Sequence, residues 1–198
     1  MHQSSMDNMR AFRDQFLTPR RNETLTILDL GSTDMLGCYR PLFDAPSWMY
    51  TGLDLEPGPN VDVVLKNPYH WREIPSASAD VFISGQCLEH IEFFWLTILE
   101  IERVLKIGGM ICLLAPSGGF EHRYPVDCWR FYPDGFAALA RYARLEVLGV
   151  EFPKPSRPYT DDSNLWKDCR LIARKRPTSL RSRLLRRVAR GVLRRMAS

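Results

Sequence analysis

Short apolar runs rich in β-branched residues alternate along the chain with stretches in which apolar positions recur every three to four residues. The runs at 24–30, 48–54, 61–65, 80–84 and 110–115 read as buried strands, and two more follow at about 145–151 and 168–174. Helical spacing covers 4–17 through Met6, Met9, Phe12 and Phe16, and Pro19 ends it. A second helix covers 91–106, with Glu92, Glu100, Arg103 and Lys106 on its polar side and Gly108-Gly109 as its cap. A third lies near 133–143, and 66–79 reads as irregular with one helical turn around 69–73. Strands that alternate with helices, in short and fully apolar runs, imply a mostly parallel sheet covered on both faces.

Ligands bind such sheets at the carboxyl ends of the strands. Here those ends carry Gly31, Asp54, the run Gln86-Cys87-Leu88-Glu89-His90, and Ser117. A glycine after the first strand lets the backbone turn and approach a ligand with no Cβ in the way; a plain tight turn needs the same residue. Asp54 ends the next strand, and a carboxylate there accepts from both hydroxyls of a ribose. The bland reading is a solvated aspartate at a strand end. Thr33 and Asp34 stand where a dinucleotide fingerprint needs glycine, and no Gly-x-x-x-x-Gly-Lys-Ser/Thr occurs, so nicotinamide and P-loop readings are disfavoured.

Composition adds a boundary. The net charge of +4 hides a split: ten Lys/Arg and no acid lie from Arg174 onward, leaving 17 basic and 23 acidic residues elsewhere, a net of −6. A mildly acidic body therefore precedes a basic tail. In the tail Leu184, Val188 and Val192 recur every four residues, joined by Leu185 and Met196, with Thr178 or Ser179 as cap. That pattern suits a helix on an anionic membrane surface; a solvated basic tail is the alternative, and Gly191 favours it. Five scattered cysteines without a Cys-x-x-Cys pair point to reduced thiols, and the first 16 residues hold Asp7, Arg10, Arg13 and Asp14 rather than a leader's apolar core. The expected location is cytoplasmic, peripheral to the inner face of the membrane if the tail binds there.

From about Leu25 to Lys175 the chain resembles the class I S-adenosylmethionine-dependent methyltransferases, especially the type 11 group. The carriers are Ile27-Leu28-Asp29-Leu30-Gly31-Ser32, Tyr50-Thr51-Gly52-Leu53-Asp54, Leu88-Glu89-His90-Ile91 and the run from Glu100 to Gly108-Gly109. The resemblance implies an α/β, Rossmann-like seven-stranded sheet of order 3-2-1-4-5-7-6 with strand 7 antiparallel and helices on both faces. It divides the chain into an N-terminal helical segment (1–20), a methyltransferase domain (21–175) and the basic tail (176–198). It implies S-adenosyl-L-methionine as cofactor, with Asp29, Gly31 and Ser32 about its methionine end, Asp54 and Leu55 at the ribose, and Gln86 and Cys87 flanking the sulfonium. Family members place an acid after strand three for the adenine; here Lys66-Asn67 stand there, with Asn67 as the substitute.

Methyl transfer rests largely on positioning, and a hydroxyl acceptor benefits from a general base. His90, just past strand four, is one candidate, with a hydrogen-bonded histidine opening a helix as its bland reading. The long connection 118–131 offers His122 and Asp127 among arginines and aromatics that suit a polar or sugar-like acceptor. Glu89, His90, His122 and Asp127 carry metal-binding side chains, but their spacing is not diagnostic and no metal is expected. The expected function is O-methylation of a glycan or small-metabolite hydroxyl, as in polysaccharide biosynthesis. A methyltransferase-fold module without catalysis, serving a partner enzyme, is the reading from another class. Nucleic acid is disfavoured by the acidic body and the lack of an Asn-Pro-Pro-Tyr-like motif.

Overall fold

The computed structural model describes the chain except residues 1, 36, 155–157, 179–184, 186, 187, 194 and 196–198. Seven strands form one sheet: β1 (Leu25–Leu30), β2 (Trp48–Asp54), β3 (Val63–Val64), β4 (Ala79–Gly85), β5 (Leu105–Pro116), β6 (Leu145–Glu151) and β7 (Asp168–Lys175). Their order is β3-β2-β1-β4-β5-β7-β6, parallel except that β7 pairs antiparallel with both β5 and β6. The α-helices packed around the sheet are α1 (Gln3–Phe12), α2 (Phe94–Val104), α3 (Pro133–Tyr142) and α4 (Ser163–Trp166). Among the described residues no helix is long and apolar enough to cross a membrane.

The two-residue period of the strands sorts their side chains between two cores. Ile27, Val81, Ile83, Met110, Cys112 and Leu114 face Met9 and Phe12 of α1, Leu17, and Leu42 and Phe43. Leu28, Leu30, Phe82, Ile111, Leu113 and Leu171 face the other way, toward Ile98 and Ile101 of α2 and Phe136 and Leu139 of α3. Both faces are covered, which explains the unbroken apolar runs.

Several local expectations give way to tertiary structure. The predicted 4–17 helix is α1 followed by a π-helical turn, Arg13–Leu17. The third strand shortens to two paired residues, because the Val61 N–H turns back to the Gly58 carbonyl. Helix α2 starts at Phe94 and stops at Val104, short of the predicted 106, because fully buried Leu105 turns extended and pairs with Ala79 of β4. Gly108-Gly109 therefore belongs to an irregular stretch of β5, with Gly108 at φ +83°, and is not a helix cap.

Residues 69–73 form turns without a helix, and they bring Trp71 flat against Phe82 with ring centroids 5.7 Å apart. Glu100, expected on a polar face, is fully buried. It accepts from the Trp71 N–H (3.1 Å) and Arg103 Nε (3.0 Å), while Arg103 donates to the Trp71 and Ile74 carbonyls. A buried ion pair is tolerable because Glu100 Oε2 and the Arg103 guanidinium are hydrogen-bonded to the segment they pin.

In the tail, Ser179, Leu180, Leu184 and Met196 lie outside the described residues. Residues 188–193 are helical. Leu193 packs against the core near α2, and Arg190 lies 3.6 Å from Glu102, while Leu185, Val188 and Val192 are exposed.

Candidate functional site

The strand order sets Asp54 (β2), Gly31 (β1), the 86–90 segment (after β4) and the connection after β5 side by side along one rim of the sheet. Because β7 runs antiparallel, its beginning, where Asp168 pairs with Pro116, reaches the same rim. These ends surround a cavity of about 730 Å³. Its lining includes Gly31, Thr33, Asp54, Leu55, Gln86, Cys87, His90, His122, Tyr124 and Trp166.

Gly31 sits at φ +75°, in the left-handed region, and a Cβ there would lie 2.6 Å from Cys87 Cβ and 2.7 Å from its Sγ. Glycine is demanded twice, by conformation and by space. Its N–H donates to the Leu53 carbonyl (2.9 Å), which fixes the turn. Asp54 Oδ2 accepts from the Thr33 N–H (3.2 Å) and Oγ1 (2.7 Å), and Oδ1 from the Leu55 N–H (2.7 Å). An ionised carboxylate offers about four acceptor sites. Asp54 therefore keeps acceptor capacity toward the cavity.

Gln86, at φ +59°, lines the wall, but its amide is engaged: Nε2 donates to Asp168 Oδ1 (3.0 Å). Asp168 also accepts from Ser4 Oγ (2.5 Å) and pairs with His2 Nε2 (2.9 Å). This network ties α1 across the strand ends. Burial pushes the Cys87 thiol up, so it is a neutral wall.

On the far side, His90 Nδ1 lies 2.5 Å from the Val126 carbonyl. A carbonyl only accepts, so Nδ1 carries the proton and Nε2 presents a lone pair. Burial lowers the His90 pKa, which keeps the ring neutral. The His122 ring meets it edge-on at 4.8 Å and packs against Trp166 at 4.6 Å. Asp127 stands behind His122, accepting its N–H (2.8 Å) and both Arg130 guanidinium nitrogens (2.6 and 2.8 Å). The Arg130 hydrogen bonds hold its carboxyl well below the usual range.

Residues 28–113 match the family model described as a methyltransferase domain. Over that stretch the chain is similar to the methyltransferase-domain family. The solved structures agree at the level of the fold. An S-adenosylmethionine-dependent methyltransferase of Methanosarcina mazei is 16% identical, at TM-score 0.61, over 79% of this chain and 94% of its own. The 1,6-didemethyltoxoflavin-N1-methyltransferase of Burkholderia thailandensis, with bound 1,6-didemethyltoxoflavin and S-adenosylhomocysteine, is 16% identical at TM-score 0.63, over 88% of this chain and 80% of its own. A counterpart from Archaeoglobus fulgidus is 14% identical at TM-score 0.63, over 86% and 95%. Among curated proteins none matches.

The residues present fit the S-adenosylmethionine that the resemblance implies: an open glycine turn, then an acidic strand end with acceptor capacity, on one cavity. Of the residues singled out from sequence, Gly31, Asp54, Leu55, Gln86, Cys87, His90 and His122 share that cavity's wall. Asp29, Ser32, Asn67 and Asp127 lie outside its lining. Ser32 Oγ is turned to the Asn60 carbonyl (3.2 Å). Asn67 is exposed, and its Oδ1 caps the Tyr69 N–H (2.8 Å). Tyr124, from the same 118–131 connection as His122, joins the cavity wall, whereas His2 and Trp166 were not anticipated; the signal that reaches Trp166 is the antiparallel β7, which returns its start to this rim.

Asp29 is buried beneath the turn, bonded to the Tyr50 hydroxyl, and its Oδ1 has no partner. Burial pushes its pKa up to about 7. A folded-state pKa above the unfolded one favours the protonated native state. That contribution is complete below about pH 4 and lost as pH rises through about 7. Relative to Asp29→Asn, the natural chain should lose on the order of a few kcal/mol of stability between pH 4 and 8, read from urea midpoints. A pH-independent difference would refute this.

Proposed function

We propose that the chain is an S-adenosylmethionine-dependent O-methyltransferase acting on a hydroxyl of a glycan or small metabolite. The observation that carries this reading is the free Nε2 of His90, held by its Nδ1 bond to the Val126 carbonyl, on the same cavity as the Gly31 turn and Asp54. Bound S-adenosylmethionine supplies an electrophilic methyl group. On this reading Gly31 and Asp54 hold the cofactor, and Cys87 and the aromatic wall exclude water. The neutral His90 takes the hydroxyl proton at Nε2, with His122 beside it and Asp127 fixing the His122 backbone. Tyr124 and Trp166 offer flat faces against which a sugar-like acceptor can stack.

The test is methyl transfer from labelled S-adenosylmethionine to a panel of sugars, glycans and amines. Label on hydroxyls supports the reading, and label on amines alone contradicts it. No transfer to any of them, by a chain that binds S-adenosylhomocysteine, favours the non-catalytic module.

The tail is proposed as a peripheral membrane contact, supported by Leu185, Val188 and Val192, which stay exposed beside arginines. The full-length chain should sediment with anionic but not neutral liposomes at low salt, and a chain lacking 177–198 should not. Equal sedimentation of both chains would contradict it.

A further inference from the structure

Behind the acceptor side of the cavity lies a carboxylate for which the proposed methyl transfer has no use. Glu89 is fully buried, and neither oxygen has a hydrogen-bond partner. Burying an unpartnered carboxylate costs several kcal/mol, so such groups are normally paired or bound to a cation. The free Nε2 of His90 is 3.7 Å from Glu89 Oε1, too far for a hydrogen bond. One ligand atom each from Glu89, His90 and His122 falls within a sphere where all separations are at most 4.8 Å.

We infer that Glu89, His90 and His122 form a binding site for a divalent transition-metal cation, opening on the acceptor side of the cavity. Two imidazoles and one carboxylate suit zinc, iron(II), manganese or cobalt better than calcium or magnesium, which prefer oxygen donors. Metal–ligand bonds of roughly 2.0–2.2 Å set donor atoms about 3–3.5 Å apart, so the widest pair must close by about 1.3–1.8 Å. The surrounding groups match what metal-bound histidines require. His90 is oriented by the Val126 carbonyl, and Asp127, clamped by Arg130, lies 3.4 Å from His122 Nδ1. Three protein ligands leave a position open, and both histidines line the cavity, so that position faces the acceptor. A cation there would hold an acceptor oxygen and favour its deprotonated form. The inference rests on reading this half of the cavity as the acceptor side and deepens it: with a cation bound, Nε2 of His90 is a ligand and not the proton acceptor, and the cation favours the deprotonated acceptor oxygen while the proton leaves to solvent.

The experiment is a cobalt(II) titration of the chelator-stripped full chain, followed by its visible d–d absorption, with zinc as competitor. The expected result is one equivalent bound, without a thiolate charge-transfer band, and displaced by zinc. Glu89→Gln, which keeps the shape of the side chain, and His122→Ala should each weaken binding at least about 100-fold. No stoichiometric binding by the natural chain, or an unchanged affinity in either variant, overturns the site. S-Adenosylhomocysteine calorimetry on the same stripped protein reads the methyltransferase site separately, so loss of one leaves the other standing.

Discussion

Gly31→Ala is expected to destabilise the fold and to impair cofactor binding together. The residue adopts φ +75°, where an L side chain costs ~1–2 kcal/mol. The added methyl would also sit 2.6 Å from Cys87 Cβ and 2.7 Å from its Sγ, and overpacking of this kind costs ~1–3 kcal/mol. Together the change should lower stability by about 3 kcal/mol, read as a shift in urea midpoint at unchanged slope. Either Gly31 or Cys87 must move, and both line the cavity, so affinity for S-adenosylhomocysteine should fall as well. Cys87→Ala removes the Sγ overlap but not the Cβ overlap, so the double variant should recover part of the loss, a coupling that a double-mutant cycle measures. A variant with unchanged midpoint and affinity would show that the turn is not built as described.

His90→Ala is expected to cut turnover by about 100-fold or more while S-adenosylhomocysteine affinity stays within about twofold. The loss is expected whether Nε2 takes the hydroxyl proton directly or holds a cation. The ring contributes no hydrogen bond to Gly31 or Asp54, so the cofactor end should not feel its removal. His122→Ala should follow in the same direction, because the two rings pack edge to edge at 4.8 Å. Normal turnover in both variants would move the acceptor chemistry elsewhere on the cavity wall, and not to Asp127, which lies behind His122 with both oxygens engaged.

Much of this architecture was legible because the signals were local and repeated. Unbroken apolar runs identified strands buried on both faces. Gly31, Asp54 and the 86–90 run each stood where a strand ended, and resemblance to a family then placed those ends on one rim. Elements decided by distant packing were not legible. Nothing near Leu105 says that its pairing with Ala79 will end α2 early, and nothing near Glu100 says that Trp71 will fold over it. The same holds at the site. His2 reaches the rim only because α1 packs under the sheet and is held through Asp168, and Asn67 turns away because a backbone N–H two residues on captures its side chain. The unpartnered state of Glu89 is also a three-dimensional fact; in sequence it is one acid in a Leu-Glu-His motif.

The cofactor end of the cavity carries the central claim, and isothermal titration of S-adenosylhomocysteine into the natural chain and Asp54→Ala tests it most directly. Charge-assisted hydrogen bonds to a carboxylate are worth ~1.5–3 kcal/mol. The natural chain should bind one equivalent, and Asp54→Ala, checked for folding by circular dichroism, should bind at least about tenfold more weakly. No binding by the natural chain, or equal binding by a folded Asp54→Ala, would contradict the account.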